Sequence, residues 1–332
     1  MDFDRQRKKL IEQIINIKAN DFEALALSLF RFQYRYNSLY AAFVDCLNVN
    51  IDNVLSIQNI PFLPISFFKT HEVKTGSFST DTIFSSSGTS GQINSKHHVA
   101  DVQLYEKISI DAFNHFYCPI EDICILALLP SYLERPDSSL VAMCSSFIKR
   151  SKYAQSGFFL NDLRLLDKTI KKLTEENVPT ILLGVSYALL DYAEEFHPNL
   201  SSIIVMETGG MKGRREELTK EELHRILKLG FHVETIHAEY GMTELLSQAY
   251  SKGDGLFFPA PTMKVLTAEI TDPLCVQQFG KMGTIQVVDL ANIDSCAFVA
   301  TQDIGICYEN NGFEIKGRLD NSDIRGCNLM AE

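Results

Sequence analysis

A run of hydroxyls and glycines, Ser85–Ser86–Ser87–Gly88–Thr89–Ser90–Gly91, follows the short apolar segment Thr82–Ile83–Phe84. Glycine tolerates positive φ and lets the backbone approach a ligand closely. Successive N–H groups and hydroxyls can then wrap an anion as a nest. A solvated Ser/Gly turn fits the run equally well when it is read alone. Its weight comes from a second segment far downstream, Glu239–Tyr240–Gly241–Met242–Thr243–Glu244. There the Tyr240 ring can stack on a flat base, and Gly241 permits a tight turn. Thr243 can hold a phosphate oxygen, and Glu244 can bind Mg²⁺, which takes carboxylate and phosphate oxygens. Read by itself, this second segment is more simply a strand end with a surface glutamate. Together the two segments point to ATP and to activation of a carboxylate.

Other residues carry a choice of roles. No Gly-Lys-Ser/Thr follows the loop at the spacing of a P-loop, which argues against P-loop kinases and motor ATPases. Asp303, in Thr301–Gly305, can accept hydrogen bonds from ribose hydroxyls or can be a solvated turn aspartate. Arg318, in Gly317–Asp320, can meet a phosphate or carboxylate bidentately or form a surface ion pair. Adjacent histidines on a strand point to opposite faces, so His97 and His98 do not suggest a shared metal site. There is no His-Glu-x-x-His and no Gly-x-Ser-x-Gly. Cys327, in Arg325–Asn328, lies on a polar tail where the nearby Arg325 favours the thiolate. It reads equally as an idle terminal thiol. The other cysteines lie mostly in apolar surroundings and read as core.

These groups need a scaffold, and the hydrophobic pattern supplies one. Residues 1–80 begin with helical spacing, with Leu10, Ile11, Ile14, Ile15 and then Leu25, Leu29 and Phe32 on packing faces. Pro61–Lys69 is too proline-rich for regular structure and reads as an extended connection. From 81 to 255 strands and helices alternate. Strands are expected at Ile123–Leu129, Ile181–Leu183, Ser202–Met206 and Val233–His237. Helices are expected at Asp162–Glu176, capped by Asn161, and from the capping box Thr219–Glu222 to about Leu229. Such alternation predicts an α/β fold with a mainly parallel sheet covered by helices, and ligands at the carboxyl ends of its strands. From 256 to 316 the pattern becomes a smaller β-rich lobe, with strands at Met263–Ile270, Thr284–Leu290 and Ala297–Thr301. A hairpin turn is expected at Glu309–Gly312.

Composition narrows the class. The chain has 332 residues, 45% hydrophobic and 22% charged, which is ample for a large core. Its net charge is -11, and no Lys/Arg block resembles a nucleic-acid footprint, so no nucleic-acid partner is expected. The eight cysteines include no C-x-x-C pair, which argues against a disulfide scaffold or zinc site and for a reducing cytoplasm. The N-terminus lacks the apolar core of a signal peptide. No apolar run is long enough for a membrane span.

The assembly resembles the adenylate-forming superfamily of acyl-CoA synthetases and peptide-synthetase adenylation domains. Ser86–Gly91 matches its phosphate loop, Thr208–Gly209–Gly210 resembles its adenine-side turn, and Tyr240–Glu244 matches its Tyr-Gly-x-Thr-Glu motif. Asp303 matches its ribose-binding aspartate, and Gly317–Asp320 resembles the start of its hinge, in the same order along the chain. Within the superfamily the sequence is most similar to the acyl-protein synthetase family of bacterial luminescence, then to phenylacetate–CoA ligase. The segments that carry this are Pro61–Lys69, Leu128–Arg135, Ser138–Val141, Gly209–Arg214 and Tyr240–Gln248. Two departures stand out. Asn94 occupies a position where the superfamily often has lysine, with Lys96 nearby, and the sequence stops at the hinge.

The resemblance implies an adenylate-forming large domain of the N-terminal type, with 317–332 a truncated hinge and tail and the small C-terminal domain absent. It implies ATP and Mg²⁺ as cofactors. Ser86, Ser87, Gly88, Thr89, Ser90, Gly91, Gly209, Gly210, Tyr240, Gly241, Met242, Thr243, Asp303 and Arg318 would bind the nucleotide, and Glu244 the metal. Cys327, Glu244 and Arg318 would be catalytic. The implied reaction activates a carboxylic acid, a fatty acid in the family, as acyl-adenylate and passes the acyl group to a thiol, here Cys327. Two alternatives stay open: a ligase that hands the acyl group to CoA or a carrier protein, and an acyl-carrying subunit with no activation chemistry, serving an acyl-acceptor protein. The phenylalanines Phe62, Phe67, Phe68, Phe158 and Phe159 either line an apolar acyl pocket or pack the core.

Overall fold

The computed structural model describes residues 2–86, 93–130, 137–209, 215 and 218–319. Two compact units form. One gathers the chain up to Phe67, Val73–Ser77 and the residues from Pro261 on, and the other gathers Phe68–Glu72 and Phe78–Ala260.

The second unit is the α/β body that the alternation predicts. Its sheet runs in the order Gly157–Phe158, Cys124–Leu128, Thr180–Val185, Ile204–Thr208, His237–Tyr240, all parallel. Ala249–Ser251 and Leu256–Pro259 then continue it antiparallel. Cys124–Leu128 and Thr180–Val185 are buried at every residue, as parallel strands covered on both faces must be. Helices Ser139–Arg150, Leu163–Glu175, Ser186–Phe196 and Lys220–Phe231 make the crossovers. The first crossover steps to one side of Cys124–Leu128 and the other three step to the opposite side. Right-handed connection therefore puts Ser139–Arg150 on one face and the other three helices on the reverse face. Contacts on the reverse face agree. The Tyr192 hydroxyl donates to Asp167 at 3.3 Å. A Cβ added at Gly230 would stand 2.8 Å from Ala193 Cβ, so glycine lets those two helices meet. The strand order reverses between Cys124–Leu128 and Thr180–Val185, and the crevice outside that point is where such sheets bind ligands.

Local chemistry sets the helix and strand ends. Helix Leu163–Glu175 is capped by Asp162, not Asn161, because it starts one residue later; Asp162 accepts from Leu165 N–H at 2.9 Å. The Thr219–Glu222 capping box forms with both of its reciprocal bonds. The strand expected at Val233–His237 begins only at His237. The helix before it ends at His232 in the left-handed region, and residues 233–236 make the link. Tyr240 is thus the last residue of a strand. A two-stranded hairpin, Thr82–Ser85 with Lys96–Val99, brackets the serine-rich loop.

The first unit carries helices Asp2–Ile15, Phe22–Tyr36 and Ser38–Cys46 together with an antiparallel meander, Met263–Ala268, Met282–Asp289, Phe298–Cys307 and Phe313–Arg318. Within Pro61–Lys69 a two-residue strand, Leu63–Pro64, pairs in parallel with Phe298–Cys307. The hairpin at Glu309–Gly312 is present, closed by Tyr308 N–H to Gly312 O at 2.8 Å with Asn311 at φ 64. Phe30, Tyr40 and Phe298 form an aromatic cluster, with Tyr40 stacked on Phe298 at 6.1 Å. Beside it, fully buried Gln33 holds the turn after Met282–Asp289. Its amide donates to Asn292 O at 2.8 Å and Ile293 O at 3.1 Å and accepts from Ala297 N–H at 2.9 Å.

Leucine at position 33 has similar bulk and no polar atoms, so it strands those buried backbone groups. Gln33→Leu is expected to lower unfolding stability by roughly 2–4 kcal/mol. Urea denaturation should show a lower midpoint at unchanged slope.

Candidate active site

A cavity of about 140 Å³ opens at the carboxyl ends of the parallel strands of the second unit. Leu129, Val185, Thr208 with Gly209, and Glu239 reach it from the ends of four successive strands of the sheet order, so it lies over the strand-order reversal. Ser85, from the hairpin, and Gly241–Thr243 form further wall. Ser138, Ser139, Leu140 and Val141 bring the first turn of helix Ser139–Arg150 to the cavity. The free N–H groups and positive dipole end of such a turn favour an anion.

Two segments that are distant in the sequence meet here. His97 lies on strand Lys96–Val99, fully buried, and its Nδ1 is 2.8 Å from Thr243 O. A carbonyl can only accept, so Nδ1 carries the proton. Burial lowers the His97 pKa to about 4, opposed in part by this hydrogen bond, and keeps the ring neutral. At the neck of the hairpin, the Ser86 hydroxyl accepts from Ser95 N–H at 2.9 Å, and Ser86 N–H donates to Ser95 O at 3.1 Å. Ser85 N–H donates to Asp137 O at 2.9 Å. The serine-rich bend therefore leaves from a fixed base joined to the Tyr240–Glu244 turn.

Two carboxyl groups are buried at neighbouring strand ends. Glu207, 2% exposed, accepts from Lys220 Nζ at 2.7 Å and His224 Nε2 at 3.3 Å, with Ser186 Oγ 3.3 Å away. Burial alone would raise its pKa, but the Lys220 charge and the His224 and Lys220 hydrogen bonds outweigh burial and lower it. Glu239, 8% exposed, accepts from Thr208 Oγ1 at 2.5 Å. Burial raises its pKa to about 7; the charge of Glu207 adds to the rise, and the Thr208 hydroxyl and Lys220 oppose it. A Cβ at Gly241 would collide with the Glu239 carboxyl, which accounts for glycine at that position.

The cavity brings together several residues marked in the sequence: Gly209, Gly241, Met242 and Thr243, with Ser85 at the loop base. Gly209 takes φ +69 and its carbonyl accepts from Ser186 Oγ at 2.6 Å. Glu244 is buried at 6% exposure. Tyr240 is buried, with its ring 5.9 Å from that of Phe257. Ser87, Gly88, Thr89, Ser90, Gly91, Gly210 and Cys327 lie outside the described residues. Asp303 and Arg318 belong to the first unit. Asp303 sits within strand Phe298–Cys307, 9% exposed, and is not a turn aspartate because that strand runs on past Thr301. Arg318 is its cross-strand partner, with Nε 4.0 Å from Asp303 Oδ1.

Sequence reading missed Glu207, Lys220, His224 and Gln248. A glutamate directly after the apolar run Ile203–Met206 was the available signal, since a charge at the end of a buried strand needs partners. The histidines were read as opposed on a strand, yet both are buried. Of the seven described cysteines, four are buried, while Cys46 and Cys275 are exposed and Cys118 is half-buried. No group of three or more metal-ligating side chains occurs among the described residues.

This fold is that of the adenylate-forming enzymes. ATP-bound MatB from Rhodopseudomonas palustris superposes with a TM-score of 0.55 at 16% identity, covering 73% of this chain and 49% of MatB. A 2-hydroxyisobutyryl-CoA ligase superposes with a TM-score of 0.62 at 11% identity, covering 92% of this chain and 71% of that one. The chain thus spans about half the length of MatB. Residues 11–332 match the family described as acyl-protein synthetase, LuxE, and the chain belongs to that family. No curated protein sequence matches the chain significantly.

Because the Glu239 pKa of about 7 lies above its ordinary 4.5, the folded protein holds a proton that the unfolded chain has released between those values. Stability from this group is full at and below pH 4.5, falls as pH rises through that window, and is flat above it. The stability of wild type relative to Glu239→Gln is expected to fall by something on the order of 3 kcal/mol across the window. Urea denaturation of both proteins at several pH values reads this, and a constant difference would mean that Glu239 is ionised throughout.

Proposed function

We propose that this protein activates a carboxylic acid with ATP and then captures the acyl group on a thiol. The observation that carries the reading is the junction of the Ser85–Ser86 hairpin with the Tyr240–Glu244 turn over the strand-order reversal, in a chain of the acyl-protein synthetase family. The acid's carboxylate attacks the α-phosphate, giving acyl-adenylate and pyrophosphate. Ser86, Ser87, Gly88, Thr89, Ser90 and Gly91 cradle the phosphates. Gly209, Gly210 and Tyr240–Thr243 hold the base side, Asp303 the ribose, and Arg318 a phosphate. The helix turn at Ser139 adds a positive dipole where charge builds, the main protein contribution to transfer at phosphorus.

Mg²⁺ would be held by Glu244, the carboxylate of the Tyr240–Glu244 turn. The ion is commonly bound by one or two carboxylates plus substrate phosphates and needs no all-protein cage. When bound it spreads the charge of the phosphates.

The thiolate of Cys327 then attacks the acyl carbonyl, forming a thioester and releasing AMP. Six other cysteines are poor candidates for this step. Burial pushes Cys144 far up, Cys296 and Cys307 to about 12, and raises Cys118 and Cys124. At Cys275 the Glu269 carboxylate is the leading cause of a rise. A reducing cytoplasm suits free thiols and a thioester carrier. Among the described residues no helix is long and apolar enough to cross a membrane. The final recipient would be an acceptor protein, a carrier protein or CoA.

ATP–pyrophosphate exchange with a panel of acids, alongside labelled acid to follow protein acylation, tests both steps. Glu244→Gln is expected to slow exchange by about a hundredfold or more. Cys327→Ser is expected to retain exchange and lose the protein-bound label. Label that persists on Cys327→Ser would rule out the tail cysteine. Acylation from a preformed thioester with no exchange for any acid would point to a non-activating carrier subunit.

A further inference from the structure

We propose that His97 is a positioning residue for the activation step: its Nδ1–H holds the Thr243–Glu244 peptide against the hairpin from which the serine-rich loop leaves. This deepens the activation reading above and rests on it.

A histidine at this place has a disadvantage that only the Thr243 bond offsets. His97 is fully buried, and its Nε2 has no hydrogen-bond partner. With the proton on Nδ1, Nε2 is a buried acceptor left unmade, which is unfavourable. A phenyl ring would fill much the same space with no polar atom to satisfy. What the imidazole adds over phenyl is the bond from Nδ1 to Thr243 O at 2.8 Å.

That bond acts on a rigid plane. The Thr243 carbonyl and the Glu244 N–H belong to one planar peptide unit. Holding the carbonyl therefore fixes the course of the chain from Thr243, which lines the cavity, to Glu244, which is buried. Within the turn, Leu245 N–H donates to Met242 O at 3.1 Å, and His97 adds a tie from outside. On the hairpin side, His97 stands opposite Phe84, one residue before Ser85, and Ser86 is bonded to Ser95 in both directions. The base of the loop and the turn thus share one reference point.

Phe68, from the Pro61–Lys69 segment, sets the attitude of the ring. It is buried, and its ring meets that of His97 at 84° with centroids 5.6 Å apart. Such an edge-on arrangement is favoured between rings and restrains rotation of the imidazole. Phe68, His97 and Thr243 all belong to the second unit. A catalytic arrangement displaced by about 1 Å from its productive geometry can lose roughly a hundredfold in rate. A residue that fixes the turn relative to the loop base therefore acts on the chemical step.

The experiment uses the full chain. His97→Asn keeps a donor near the Nδ1 position, and His97→Phe keeps a ring and removes the donor. ATP–pyrophosphate exchange is measured with an acid that the wild type accepts, together with amide hydrogen exchange of Tyr240–Leu245. His97→Phe is expected to lower the kcat of pyrophosphate exchange about a hundredfold while the KM for ATP changes less than about threefold. It is also expected to speed amide exchange in the turn about tenfold or more. His97→Asn is expected to restore kcat to within about fivefold of wild type. Nitrogen NMR of histidine-labelled wild type near neutral pH is expected to show His97 as the neutral Nδ1–H tautomer. An Nε2–H tautomer, wild-type kcat and amide exchange in His97→Phe, or equal losses in His97→Asn and His97→Phe would overturn the proposal. Should His97→Phe fail to fold, His97→Gln, whose amide reaches toward the Nε2 position instead, takes its place. Wild type that exchanges with no acid would sink the activation reading, and amide exchange and the tautomer would then decide the His97 assignment. Exchange in wild type that His97→Phe matches would do the reverse.

Discussion

Two carboxyl groups buried at neighbouring strand ends are the constraint around which the site is built. Glu207 and Glu239 cannot both carry an uncompensated charge in a low dielectric. The strands resolve this by period-two alternation. Glu207 and Thr208 point to opposite faces, so Glu207 turns toward helix Lys220–Phe231, while Thr208 turns to the cavity side and bonds Glu239. Glu207 receives a lysine and a histidine and holds its charge; Glu239 receives one hydroxyl. The cost appears elsewhere. Lys220 is the first residue of its helix, where a cation opposes the helix dipole. Its ion pair with a buried carboxylate outweighs that, and the acidic residues Glu221 and Glu222 complete a favourable first turn.

The same packing fixes what can follow Tyr240. With the Glu239 carboxyl folded beneath the chain, position 241 has no room for a Cβ, and the turn that carries Thr243 and Glu244 starts at a glycine. The turn is then held by its carbonyl at Thr243, on His97. A neutral imidazole has one N–H, and burial assures neutrality, so the bond has a defined donor. The Thr82–Val99 hairpin and the Tyr240–Glu244 turn are coupled through one proton on one ring nitrogen.

Much of this was legible in the sequence, for physical reasons. Ile123–Leu129 and Ile181–Leu183 read as strands because a doubly covered parallel strand shows a compact apolar run. Thr219–Glu222 read as a helix start because a capping box is local, made within four residues. The boundaries that moved are those set by partners distant in sequence. Strand Phe298–Cys307 runs past Thr301 because Met282–Asp289 and Phe313–Arg318 hold both its edges, and its alternating burial puts Asp303 inward. The Glu207 cluster was hidden for the same reason. Ser186, Lys220 and His224 come from two helices on one face of the sheet. The four-residue spacing of Lys220 and His224 shows that they share a helix face, but not what that face meets.

The protonation of Glu239 has a consequence for any acid that enters. A carboxylate substrate approaching two ionised glutamates would meet repulsion that the single lysine beneath Glu207 cannot offset. With Glu239 titrating at about 7, the cavity wall is neutral there for a substantial fraction of molecules near neutral pH, and the Glu207 charge is already compensated by Lys220. The positive end of helix Ser139–Arg150 adds a favourable field for an anion. A protonated Glu239 can also donate as well as accept, so its hydrogen-bonding role at the wall changes with its charge. Charge tolerance for the substrate and polarity of the wall are therefore set by the same group, through the burial that the parallel sheet imposes on it.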